Sequence, residues 1–407
     1  MLATLIPLFD DDMQVKAYTI FSQKVNFLLQ PALAGYTRYD GSGAILGLDI
    51  VDSMGVDTLA DDREVFVEMN SVSVFSEIET MCDAPHERLV LLMDHTITPE
   101  EMYINRLKEL KGMGYMLAIR KLAIEQFEPY REILRLMDFI LLDHKKINIG
   151  SAKIYFGKIY PNIKLVAVNV DTQDDYDKLV AQGGYDLYEG GFFRMPIVEG
   201  AEDVAPLKLT YIELLNVVND VDFDLSDAAD VIGRDTALVI SLLEMVNRMA
   251  YYSGITSVRH AAAMLGQKEL KKWINTAVTK ELCSDKPSEI MRISLLRAKF
   301  AENLAPLFEM AGQSAELFLM GLFSVLDIIL DKTMEEALEL VKVSKSIHQA
   351  LVNNAGEFAT VLEFIKEYET ASWQEVSRQM VLKEIEMDPV YEAYIESLKW
   401  YRDLIRS

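Results

Sequence analysis

"RLVLLMDHTITPEEMYINRLKELKGMGYMLAIRKL", residues Arg88 to Leu122, holds two apolar runs around one amphipathic stretch. The runs "RLVLLMD" (Arg88 to Asp94) and "YMLAIRK" (Tyr115 to Lys121) are apolar along most of their length, as parallel strands covered on both faces are. Between them, "TPEEMYINRLKELKGMG" predicts a helix with Thr98 as N-cap, Pro99 in the first helical position and Glu101 completing a capping box. The unit is strand, helix, strand. Four further runs of the same kind surround it: "EVFVEMN" (Glu64 to Asn70), "DFILLDH" (Asp138 to His144), "KLVAVNV" (Lys164 to Val170) and "YDLYEGGFF" (Tyr185 to Phe193). This many alternating βα units predict a parallel sheet, open or closed into a barrel.

From about residue 200 the strand pattern stops. "PLKLTYIELLNVVND", "DTALVISLLEMVNRMAYY", "KELKKWINTAVTKEL" and "SEIMRISLLRAKFAENLAPLFEMAG" carry apolar residues at three- and four-residue spacing. The second half therefore reads as all-helical. "PIVEGAEDVAP" (Pro196 to Pro206), with its prolines, glycine and acids, marks the boundary, giving modules of 1–199 and 200–407. The C-terminal "YEAYIESLKWYRDLIRS" places Tyr391, Tyr394, Leu398 and Tyr401 at helical spacing, a stripe expected to dock on its own domain.

The chain has 407 residues, 64 of them acidic and 40 basic, for a formal net charge of -24. Such a balance repels phosphate backbones and anionic lipid, arguing against nucleic acid as a partner. Its two cysteines, Cys82 and Cys283, lie far apart and form no CxxC motif, consistent with a reduced cytoplasmic protein. "LFLMGLFSVLDIIL" (Leu317 to Leu330) is too short to span a bilayer and contains Asp327, so it is expected to be a core helix, with no membrane insertion. "GSGAILG" (Gly41 to Gly47) lacks a P-loop lysine and is expected to be a loop.

Taken in order, the strand ends resemble the EAL domain, a TIM-type β/α barrel that hydrolyses cyclic di-GMP. "LIPLFDDDMQVKAYTIFSQ" is similar to that family's opening strand-turn-strand, "VFVEMN" to its metal-asparagine segment, and "LVLLMDHTITPEEM" to the strand bearing its second glutamate. "GMGYMLAIRKL" is similar to Gly-Tyr-x-Leu-Ala-Leu-Asp-Asp-Phe, and "FILLDHKKI" to the Lys-x-Asp strand. "LVAVNVDTQDDYDKLVAQGGYDLYEGGFFRMP" is similar to the Ala-Glu-x-Val-Glu-Thr strand, its helix and the Gln-Gly-Tyr-Phe end.

The resemblance implies a metal site of carboxylates at strand ends, and this chain departs from it repeatedly. Thr19 stands at the position of the signature glutamate, and the second glutamate is shortened to Asp94. Asn70 and Asp143 are kept. The aspartate pair becomes Arg120-Lys121, so two positive charges replace two negative ones. Leu141, Val168, Asp171 and Glu189 stand for the lysine, the two later glutamates and the glutamine. Hard divalent cations need converging oxygen ligands, so the expectation is no metal, no cofactor and no catalysis. Arg120 and Lys121 would pair with Asp94, Asp143 or Glu189, or alternatively attract a phosphate.

"VIGRDTALVISLLEMVNRMAYYSGITSVRHAAAMLG" (Val231 to Gly266) resembles the HDOD domain, a helical relative of the HD phosphohydrolases. None of the five histidines (His86, His95, His144, His260, His348) precedes an aspartate, and Ser324-Val325 stands at the position resembling the His-Asp dipeptide. The expected architecture is α/β then all-α: a degenerate EAL-like barrel followed by an HDOD domain. The expected role is a catalytically inactive signalling or scaffold protein of a bacterial pathway with protein partners, cyclic di-GMP binding being doubtful. A non-hydrolysing cyclic di-GMP receptor and an active phosphodiesterase are the alternatives.

Overall fold

The computed structural model describes residues 1–26, 28–29, 44–194, 206–220, 222–249 and 254–406. Eight strands form a closed barrel in sequential order: β1 (Leu2–Phe9), β2 (Val15–Gln23), β3 (Glu64–Glu68), β4 (Leu89–Asp94), β5 (Met116–Arg120), β6 (Phe139–Asp143), β7 (Lys164–Val168) and β8 (Leu187–Glu189). Each run expected as a strand supplies one. Strands β2 to β8 are parallel, while β1 runs antiparallel to both of its neighbours. The open-sheet alternative is thus excluded.

Side chains alternate across each strand, so every second residue fills the barrel. Phe66, Val90, Ala118, Phe139, Leu141 and Val166 form its buried interior, with the rings of Phe66 and Phe139 edge to face at 5.0 Å. The same alternation carries the next inward position of most strands to the C-terminal mouth. Polar residues in register two steps above apolar ones therefore converge there.

Two helical expectations are corrected. The helix after β4 spans Glu101–Gly112, and Thr98 does not cap it. The Glu100 amide bonds to the Thr98 carbonyl at 2.8 Å, and the Thr98 hydroxyl donates to the Glu100 carboxylate at 3.0 Å. This local turn around Pro99 uses the cap residue before the helix begins. The expected loop at 41–47 is helical from Leu46, where Leu46–Met54 buries Leu48, Ile50 and Val51; residues 41–43 lie outside the described set. Gly47 permits this packing, since a Cβ there would lie 2.5 Å from Val67 Cγ1.

The chain divides into two compact units, Met1–Met195 with Lys366–Leu398, and Pro196–Ile365 with Lys399–Ser407. The boundary segment read from the sequence, 196–206, lies almost wholly outside the described residues. Where the sequence reading assigns everything beyond 199 to the helical module, the segment 366–398 packs with the barrel. Its reason lies in β1. That strand pairs with β2 along its whole length but with β8 only at Leu8 and Phe9. The rest of its edge needs other partners. The buried Ala3 amide donates to the Tyr368 hydroxyl at 3.2 Å, and the Thr4 and Tyr394 hydroxyls lie 3.4 Å apart. On β2, Gln23 donates to Ser377 Oγ at 2.9 Å. Tyr394 and Leu398 are buried, so this part of the C-terminal stripe docks within the barrel unit rather than on the helical module.

The second unit is helical throughout its described elements, with the long helices Val258–Leu282 and Ser288–Leu304 among them. The apolar run 317–330 forms two helices, Ser314–Phe323 and Leu326–Leu330, separated at Ser324-Val325. Among the described residues no helix is long and apolar enough to cross a membrane.

Replacing Tyr368 by Phe removes the acceptor of a buried amide while keeping the ring. Urea unfolding of the full chain should show a loss of about 1–3 kcal/mol. An unchanged midpoint would mean that the β1 edge finds its partner elsewhere.

Candidate functional site at the barrel mouth

Arg120 closes β5 with its Cα in register with Asp94 on β4 and Leu141 on β6. Its guanidinium reaches past β4 and forms an ion pair with Glu68 at the end of β3. It also lies over the Phe21 ring, 5.1 Å from the centroid. Arg120 and Glu68 side chains are only 12% and 31% exposed, so water screens the pair weakly. Glu68 is a partner beyond the expected Asp94, Asp143 and Glu189, and the charge of Arg120 also bears on Glu189. Glu68 escaped the sequence reading, although the alternation Phe66, Glu68, Asn70 already placed it on the inward face of "EVFVEMN".

Glu189 at the end of β8 accepts a hydrogen bond from the buried Thr19 hydroxyl at 3.3 Å. Burial pushes its carboxyl above the usual glutamate range, against the opposing pull of Arg120 and the Thr19 hydrogen bond. Behind it, Gly190 is obligatory for close approach: a Cβ there would fall 1.8 Å from the Val170 carbonyl oxygen.

Asn70, Asp94 and Asp143 bond within their own loops, and Asp171 bonds to the neighbouring one. Asn70 Oδ1 accepts from the Val72 and Ser73 amides, each at 2.8 Å, building the turn after β3. Asp94 Oδ1 accepts from the Thr96 amide at 2.9 Å and hydroxyl at 2.7 Å. Asp143 pairs with Lys146 at 3.0 Å and accepts from the Lys145 amide at 3.1 Å. Burial raises its carboxyl, but the Lys146 and amide bonds outweigh it and hold the group below the ordinary aspartate value. Asp171 is exposed and pairs with Lys145 at 2.5 Å. Lys121 is exposed with φ +62°, a left-handed backbone uncommon outside glycine. Leu141 is buried in the barrel interior, and half-buried Val168 packs against that interior. The structure thus joins Thr19 to Glu189 and sets Arg120 beside them, while Asn70, Asp94 and Asp143 make bonds within their own loops and Asp171 reaches the loop after β6.

In the helical unit the Ser324 hydroxyl accepts from Arg297 Nη1 at 3.1 Å and donates to the Gly321 carbonyl at 2.7 Å. Arg297 is 4% exposed, so a buried guanidinium faces the position resembling the His-Asp dipeptide. His260 is exposed on its helix. Among the described residues no three His, Cys, Asp or Glu side chains gather into a group able to hold a metal ion.

Residues 204–361, in the helical half, match the HDOD domain family. YuxH of Bacillus subtilis (strain 168) is 28% identical over 415 residues, covering 98% of this chain and 97% of its own. The cyclic di-GMP phosphodiesterase CdgJ of Vibrio cholerae serotype O1 is 27% identical over 328 residues, covering 79% of this chain and 75% of its own. The solved structure of EAL enzyme Bd1971 with cAMP and cyclic di-GMP is 12% identical with a TM-score of 0.38, covering 46% of this chain and 60% of that one.

Glu189 gives the mouth a pH signature. Its folded carboxyl holds a proton more tightly than its unfolded one, so the folded state loses stability as pH climbs past the ordinary glutamate range. Glu189→Gln removes that loss. Its advantage over wild type in a urea titration should be absent below about pH 4 and grow toward neutrality. A pH-independent difference would contradict the burial argument.

Proposed function

We propose that this chain is a non-hydrolysing signalling protein, a degenerate EAL-like barrel joined to an HDOD domain, whose output is contact with other proteins of a regulatory pathway. The observation that carries this reading is the Arg120–Glu68 ion pair inside the barrel mouth. Metal-assisted phosphodiester hydrolysis needs several hard oxygen ligands converging on one or two divalent ions. The donors present do not fit that need. A fixed guanidinium repels an approaching cation and already uses Glu68. Thr19 supplies a neutral hydroxyl where the family resemblance implies a carboxylate, and Asp94 and Asp143 are committed to Thr96 and Lys146.

The relative CdgJ, named a cyclic di-GMP phosphodiesterase, supports a second reading only as far as engagement of that dinucleotide. Under this reading the barrel mouth of the present chain, lacking a metal site, binds the dinucleotide without cleaving it, with Arg120, Lys121 and Asn70 as contacts. Two measurements on the full chain separate the readings. Incubation with cyclic di-GMP and Mg²⁺ or Mn²⁺ should yield no linear product even at high enzyme concentration; accumulating product would sink the proposal. Calorimetric titration with cyclic di-GMP should give no heat under the first reading and a saturable isotherm under the second. The full chain is the proper bait for partner capture, because a cut near residue 199 would strip Lys366–Leu398 from the barrel unit.

A further inference from the structure

We propose that the Arg120 guanidinium is the barrel's own resident cation: it does for the carboxylates at the mouth what a bound divalent ion would otherwise have to do. The inference rests on the reading that the mouth holds no metal, and goes beyond it by assigning the charge compensation to one side chain.

Two contacts build the position. Glu68 meets the guanidinium directly and the Phe21 ring lies under it at 5.1 Å, and the charge of the guanidinium also bears on Glu189. Glu68 and Glu189 come from strands β3 and β8, on either side of the β1–β2 hairpin. Two anions in a partly desolvated barrel end repel one another unless a cation lies within reach. The aromatic face holds that cation in place from a third direction. Arginine suits the task because its charge is permanent and planar, whereas a lysine ammonium would have to be desolvated as a point charge.

If the guanidinium is the compensating ion, removing it should leave a site that a small hard cation can fill. Thermal unfolding of the full chain is followed in EDTA and then with added Ca²⁺ or Mn²⁺, with NaCl at matched ionic strength as the control. Wild type should unfold at the same temperature in all of these. Arg120→Ala should unfold several degrees lower in EDTA and recover saturably with either divalent ion but not with NaCl. The double variant Arg120→Ala, Glu68→Gln should lose that response. Should Arg120→Ala not fold, Arg120→Gln keeps the side-chain stem on Phe21 and carries the same titration.

The outcomes are distinct. Wild type unresponsive and Arg120→Ala unresponsive would overturn the resident-cation inference while leaving the non-hydrolysing reading intact. A saturable divalent response in wild type, removed by Glu68→Gln, would overturn both.

Discussion

The barrel depends on how its first strand finds partners. A β/α barrel made of parallel strands closes when its last strand meets its first, and here that strand runs the other way. Meeting β8 through two residues only, β1 leaves most of one edge beyond the closed sheet. Unpaired backbone in a buried setting is costly, so the edge must be covered. Tyr368 and Tyr394 cover that edge at Ala3 and Thr4, and Ser377 ties down Gln23 at the end of β2 and Asn26 just beyond it. Closure of the barrel is therefore a property of two distant stretches of chain. The mouth, whose geometry follows from closure, inherits the same dependence.

At the mouth the governing quantity is charge in a partly desolvated space. Each acid there meets a specific answer: Arg120 for Glu68, the Thr19 hydroxyl for Glu189, Thr96 for Asp94 and Lys146 for Asp143. Two of these answers, Thr96 and Lys146, come from the same loop as the acid, while Thr19 and Arg120 reach their acids across the barrel from other strands. Arg120 reaches furthest in its effect. It crosses from β5 to β3 and acts on β8, and its effect is shared among elements far apart in sequence.

Much of the barrel was legible in the residues because fully apolar runs alternating with helical patterns have few other solutions. The strand runs from "EVFVEMN" onward each became a strand, and the helical half was visible in its period. What escaped was whatever depends on pairing across space. Periodicity identifies the helix Met387–Arg406 but carries no information about which surface its tyrosines meet, so the docking of Tyr394 in the barrel unit is not legible there. Alternation placed Glu68 inward, but nothing local announced that an arginine two strands away would pair with it. Thr98 does not cap its helix because a hydroxyl beside a proline can close a turn as readily as cap a helix.

The bond from Ala3 to Tyr368 spans 365 residues, and the Thr4 to Tyr394 contact spans 390. Chains are made from the N-terminus at about 5–20 residues per second, and early domains ordinarily complete themselves while the rest is still being made. This barrel cannot. Its first strand waits, partly uncovered, through synthesis of the entire helical module before its last partners emerge. The order of translation therefore leaves this strand to be satisfied by partners made much later. Until they emerge the nascent chain carries an open sheet edge, where a chaperone or a neighbouring chain has a long opportunity to meet it.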